Sequence, residues 1–114
     1  MAKNNGNETI PDDVWEKAKT IPNPNVDASK WRKDYAGAWI KWSKYGDYTS
    51  SLGLGWSVDH AKPLSQNGAD NIDNWVPLQW ENNQMKADNY PKFQTAVSSD
   101  GDKNISKLRD WEYK

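Results

Sequence analysis

At 114 residues the chain has the size of one compact domain, and its 15 basic and 16 acidic side chains leave a net charge of -1 that gives no global attraction to polyanions. The absence of cysteine excludes disulfide staples, a thiol nucleophile and every thiolate zinc site. Hydrophobic residues make up only 35% and the mean hydropathy is -1.10, so the 8 Trp and 5 Tyr must close the core in place of aliphatic volume.

Residues 1–10 are polar and rich in Asn, a composition that predicts a flexible tail ahead of a single domain over 11–114. Pro11, Asp12 and Asp13 precede Val14, Trp15 and Ala18, which is a helix start with acids on its first turn and an apolar face behind them. Pro22 and Pro24 must close that helix, because proline lacks a backbone donor and restricts the residue before it. Trp31, Tyr35 and Ala38 recur at helical spacing and predict a second helical element from about Asp27 or Ser29. From Ala38 to Trp42 the bulky residues alternate, which predicts a short strand. Tyr45 to Leu54 is a loop by composition, and Gly55 to Val58 alternates as a second strand that delivers Asp59 and His60.

Pro63 to Asn71 carries turn chemistry in a connection too long for a tight hairpin. Asn74 to Leu78 resumes the extended pattern, and Trp80 to Ala87, with no internal Gly or Pro, predicts a short helix ending before Pro91. Beyond it, Phe93, Ala96 and Val97 predict a helical turn, residues 98–103 a loop, and Ile105, Leu108 and Trp111 a last helix with apolar spacing near three. Trp31, Trp39, Trp56, Trp75 and Trp80 are expected in the core rather than on a base-stacking surface. No apolar run reaches the length of a membrane span and residues 1–24 lack the features of a secretory signal, so a cytoplasmic protein with no membrane partner is the expectation.

Charge is uneven along the chain. Between Lys17 and Lys44 lie Lys17, Lys19, Lys30, Arg32, Lys33, Lys41 and Lys44 against only Asp27 and Asp34, a segment that could face phosphates. The single histidine, His60, sits in Val58-Asp59-His60-Ala61-Lys62 directly after a predicted strand. Imidazole is the side-chain group suited to accept a proton near neutral pH.

The run from Trp56 to Asn89 resembles the ββα-metal (His-Me finger) core of HNH endonucleases. Asp59-His60 ends the first strand, Asn74 opens the second, and Asn83 with Lys86 stands on the following helix, all in family order. Fourteen positions separate His60 from Asn74 and nine separate Asn74 from Asn83. Upstream, Trp31 to Asp34, Gly37 to Ile40 and Gly55-Trp56 are similar to what precedes this core in compact members, so the resemblance covers about residues 30–91. One position departs from the family's name: its last letter is Asn83 here, a residue that also occurs there in active relatives, including the HNH domain of RNA-guided DNA-cutting enzymes.

The resemblance implies an α+β fold with the ββα-metal core at about 55–90 flanked by short helices. It also implies a metal-dependent endonuclease that hydrolyses phosphodiester bonds in DNA to leave a 5′-phosphate and a 3′-hydroxyl. His60 would be the general base, Asn74 its support through hydrogen bonds to loop backbone, and Asp59 and Asn83 the ligands of one divalent metal. With oxygen donors and neither Cys nor a second His, that metal is expected to be Mg²⁺, with Mn²⁺ as substitute and no structural zinc. Lys86, Arg32, Lys33 and Lys62 are the expected contacts to nucleic acid, DNA first and RNA as the alternative polymer. Neighbours on a regular strand point to opposite faces, so the strand is expected to end or bulge at Asp59 and His60 for both to reach one phosphate. Three other readings share the sequence: a non-cleaving nucleic-acid-binding module of the same fold, a nuclease toxin or effector domain held by an inhibitor protein, and a Trp-rich protein-interaction domain without metal.

Overall fold

The computed structural model describes residues 9–113, with the side chains of Thr9 and Ile10 outside the description. The predicted tail falls mostly on residues 1–8, which lie outside the described residues, whereas Thr9 and Ile10 already open helix α1 (Thr9–Trp15). Val14 and Trp15 bury the apolar side of α1, and Lys17, just beyond it, donates to the carbonyls of Ile72 and Trp75.

The helix expected from Trp31 is instead a strand. β1 (Trp31–Lys33) pairs antiparallel with β2 (Trp39–Lys41), setting Trp31 opposite Lys41, Arg32 opposite Ile40 and Lys33 opposite Trp39. The reason lies in the connection: Asp34 Oδ1 accepts from the Ala38 amide at 2.9 Å, and Gly37 takes a φ of +93°, open to glycine at little cost. Three residues per strand leave only Arg32 and Ile40 facing inward, and so short an alternation is easily read as helical spacing. The strand expected at 38–42 is present as β2, followed by a single 3₁₀ turn at Trp42–Lys44.

β3 (Trp56–His60) and β4 (Trp75–Gln79) form a second antiparallel pair in unbroken register from Trp56 opposite Gln79 to His60 opposite Trp75. Gly55 is required at the entry, since a Cβ there would lie 1.7 Å from the carbonyl oxygen of Asp47. Helix α2 (Trp80–Lys86) follows β4 with no loop between them, because the Gln79 side chain caps it by accepting from the amides of Glu81 and Asn82 at 2.8 and 3.1 Å.

Beyond Pro91 the chain is a strand pair, contrary to the expected turn, loop and helix. β5 (Lys92–Asp100) pairs with β6 (Lys103–Glu112) around a turn in which Gly101 has a φ of +63°. Phe93, Thr95 and Val97 are buried at alternate positions, whereas Leu108, counted toward a helical face, is 61% exposed. The register shifts between Thr95 and Val97, where the Ala96 and Val97 amides turn to Asn82 Oδ1 at 2.8 and 2.7 Å. The irregularity is therefore the point at which the hairpin docks on α2.

Asp34 joins these units. Fully buried, its Oδ2 accepts from the Gln79 amide at 2.9 Å and from Asn82 Nδ2 at 3.0 Å, so the β1–β2 turn is tied to the start of α2. Burial pushes this carboxyl above its ordinary range against the pull of those donors. The main core consists of Val14, Trp15, Ala18, Ile40, Trp56 and Val58, with Trp42, Tyr45 and Trp75 packed against it. Its centre is aromatic: Trp56 lies 5.2 Å from Trp15, 5.9 Å from Trp42 and 4.9 Å from Tyr45 between ring centroids. Of the tryptophans expected inside, Trp56 is fully buried while Trp31, Trp39, Trp75 and Trp80 are half-buried. The protein is thus a mixed α and β fold, and among the described residues no helix is long and apolar enough to cross a membrane.

Candidate active site

The end of β3, the loop between β3 and β4, and one face of α2 enclose a cleft of about 620 Å³ lined by Asp59, His60, Pro63, Ser65, Asp70, Asn83 and Asp88, among others. Asp59, His60 and Asn83 thus share one polar cleft, although Asn83 is 23 positions beyond His60. β3 shows no bulge. It runs regularly through Asp59 and stops at His60, after which Ala61 and Lys62 turn away, so two neighbours of opposite facing still border the same space.

Asp59 faces α2. Its Oδ2 lies 3.2 Å from Lys86 Nζ, and Lys86 is fully buried while also donating to the His60 carbonyl at 3.1 Å. One ammonium therefore holds the carboxylate of residue 59 and the backbone of residue 60. The pair has charge without an aligned hydrogen bond, and Oδ2 is otherwise a buried oxygen with no partner. Burial drives the Asp59 carboxyl upward, and the charge of Lys86 draws it partly back.

Asn83 is set by β3. Its Nδ2 donates to Ser57 Oγ at 2.7 Å, which uses one of the amide's two N–H donors and fixes the amide against β3. Ser57 and Asp59 are two apart on one strand, so both face α2.

His60 is mostly buried, its side chain 12% exposed, with its ring edge-on to Trp75 at 6.4 Å. Its Nε2 meets Asp70 Oδ1 at 2.9 Å. Asn74 lies across the loop that carries Asp70: its Oδ1 accepts from the Lys62 amide at 2.9 Å, and its Nδ2 donates to the carbonyls of Lys62 at 2.9 Å and Ala69 at 2.7 Å.

The residues expected to meet nucleic acid are dispersed. Lys62 stands at the mouth of the loop, 5.8 Å above the Tyr90 ring, and Lys33 lies over Trp39 at 4.8 Å. Arg32 is buried and directs its guanidinium to the carbonyls of Ala28 and Trp15 and to Glu16, which makes it a fold residue and removes it from the surface. Lys86 is buried too, and its charge faces Asp59. Lys17, in the basic segment, is likewise spent on backbone carbonyls.

Two site residues escaped the sequence. Ser57 left a signal, its two-residue offset from Asp59 on a strand; Asp70 left none, because its place depends on the path of an irregular loop.

The donor set suits a hard cation. Among the described residues no three His, Asp or Glu side chains gather to form a metal cage, yet the Asp59 carboxylate, with Lys86 at its Oδ2, and the preoriented Asn83 amide line one polar cleft. Two protein oxygens, with water and a phosphate for the rest, are a coordination that Mg²⁺ accepts.

No curated protein and no solved structure matches the chain. Residues 48–89, the stretch holding β3, β4 and α2, match the family model described as HNH endonuclease. That stretch, which contains Asp59, His60, Asn74 and Asn83, is similar to the HNH endonuclease family.

Proposed function

We propose that the protein is a metal-dependent DNA endonuclease in which β3, β4 and α2 form a ββα-metal core. His60 accepts the proton of the attacking water, and Asp59 and Asn83 hold one divalent cation, Mg²⁺ foremost. The observation that carries the reading is the convergence of these three side chains on one polar cleft.

Hydrolysis requires that water lose a proton as its oxygen attacks phosphorus. His60 is the basic side chain at the cleft, held edge-on by Trp75 and by Asp70 so that it meets the water in one orientation. The bond from phosphorus to the 3′-oxygen breaks, the departing oxygen is protonated by solvent, and the products carry a 5′-phosphate and a 3′-hydroxyl. A cation bound by Asp59 and Asn83 would stabilise negative charge on the phosphoryl and leaving oxygens. Lys86 draws the Asp59 carboxyl partly back toward ionisation and holds it in place, Asn74 secures the loop, and Lys62, with half-buried Lys33 farther off, offers charge to the DNA backbone.

The Lys86–Asp59 ion pair favours a second reading as well. The buried ammonium neutralises Asp59 from within the chain, so this carboxylate has a counter-charge without any cation, as suits a nucleic-acid-binding module of the same fold without metal or cleavage. Incubation of supercoiled plasmid with Mg²⁺, with and without chelator, separates the two. The nuclease reading expects nicked or linear product that chelator abolishes; binding of DNA without product, at any Mg²⁺ or Mn²⁺ concentration, supports the module.

A further inference from the structure

We propose that Asp70 is the positioning residue for His60: its carboxylate accepts the Nε2 proton, which fixes the imidazole orientation and leaves Nδ1 as the nitrogen that takes the proton from water. This rests on the reading of His60 as general base.

A neutral imidazole carries one proton on either ring nitrogen, and only the nitrogen without it can act as a base. A carboxylate is acceptor-only when ionised, so its contact at 2.9 Å with Nε2 demands that the proton sit there. Asp70 suits the task because it is solvated, with a side chain 65% exposed, and its carboxyl lies below the usual range, held down first by the hydrogen bond to His60. Asp59, the other acid beside His60, faces Lys86.

The loop is built to deliver Asp70. Asn74 Nδ2 grips the carbonyl of Ala69, the residue just before it, and also that of Lys62, so both ends of the excursion are tied to the start of β4. Gly68 makes the fold-back possible: a Cβ there would lie 1.8 Å from the Lys62 carbonyl oxygen, and its amide donates to the Pro63 carbonyl at 2.9 Å. Asn71 then accepts from the Asp73 amide at 3.0 Å and closes the turn into β4. Asn74 therefore acts on His60 at one remove, through the position of Asp70.

Because His60 is the one histidine in the chain, nitrogen NMR of the histidine-labelled protein reads the bond directly. A ring proton coupled to Nε2 and slow to exchange is expected in the intact protein, and its loss is expected in Asp70→Ala. In plasmid cleavage, Asp70→Ala is expected to lower kcat about 10-fold or more with KM little changed, and Asp70→Asn, which keeps an acceptor oxygen, to recover part of the loss. Exposure of Asp70 predicts unchanged thermal unfolding of both variants, which separates positioning from folding. A proton on Nδ1 in the intact protein, or an Asp70→Ala spectrum and kcat like those of the intact protein, overturns the proposal. An Nε2–H signal in a protein that cleaves nothing overturns the base assignment itself, and the catalytic role of Asp70 with it, while the hydrogen bond stands.

Discussion

Lys86 Nζ stands 3.2 Å from Asp59 Oδ2, the ammonium fully buried and the carboxylate nearly so. A charge pair out of water is held by its partners rather than by solvent, so removing one member leaves the other uncompensated. Lys86→Met is expected to lower unfolding stability by about 3 kcal/mol, read from the shift of a urea transition. A shift within error would mean that the pair is hydrated and that Asp59 needs no support from α2.

With Asp59 as a metal ligand, as proposed, metal binding would depend on pH. Burial raises its carboxyl, so it keeps a proton at pH values where an ordinary aspartate is ionised, and the proton competes with a cation for the same oxygens. Mn²⁺ affinity measured by calorimetry is expected to fall on acidification, beginning above the ordinary aspartate range. Because the charge of Lys86 pulls the carboxyl down, Lys86→Met should move that onset further up. An onset in the ordinary aspartate range for both proteins would contradict the assignment of Asp59 as ligand.

Ser57 is expected to matter to metal affinity without touching the metal. Its hydroxyl takes the Asn83 amide donor at 2.7 Å, and in Ser57→Ala that amide is free to rotate. A loss of about 10-fold in Mn²⁺ affinity is the expected outcome, with thermal unfolding little altered. Unchanged affinity would remove Asn83 from the ligand set.

Asn74→Ala tests the loop. Three hydrogen bonds to the backbone of Lys62 and Ala69 disappear, a loss of about 1–2 kcal/mol given their exposure. Amide exchange over residues 61–74 is expected to quicken while the β5–β6 hairpin keeps its protection. Equal loosening of both regions would show a global effect.

The elements that border the candidate cleft were more legible in the sequence than the rest of the fold. Strands at 38–42, 55–58 and 74–78 and the helix at 80–87 carry local signals, alternation or an unbroken helical run, and each is present within a residue or two. The C-terminal hairpin was hidden because Ile105, Leu108 and Trp111 imitate a helical face while β6 is mostly solvated. Its partner β5 is fixed by a tertiary contact, Asn82 on Ala96 and Val97. β1 was misread for a related reason: its three residues hold one inward side chain, Arg32, whose burial depends on carbonyls from α1 and the segment after it. At the site, residue types on regular elements could be placed by counting, whereas Asp70, ten residues into an irregular loop from His60, depends on Asn74 and Gly68 acting together.

In the proposed reaction His60 takes the proton from water while Asp59 and Asn83 hold the metal. The most direct test is the rate of plasmid cleavage at saturating Mg²⁺ for the intact protein and His60→Ala, with Mn²⁺ affinity measured on the same preparations. Cleavage is expected to fall by about 10²–10⁴-fold in His60→Ala while Mn²⁺ affinity stays within about twofold of the intact protein. Cleavage by His60→Ala at the rate of the intact protein would contradict the account.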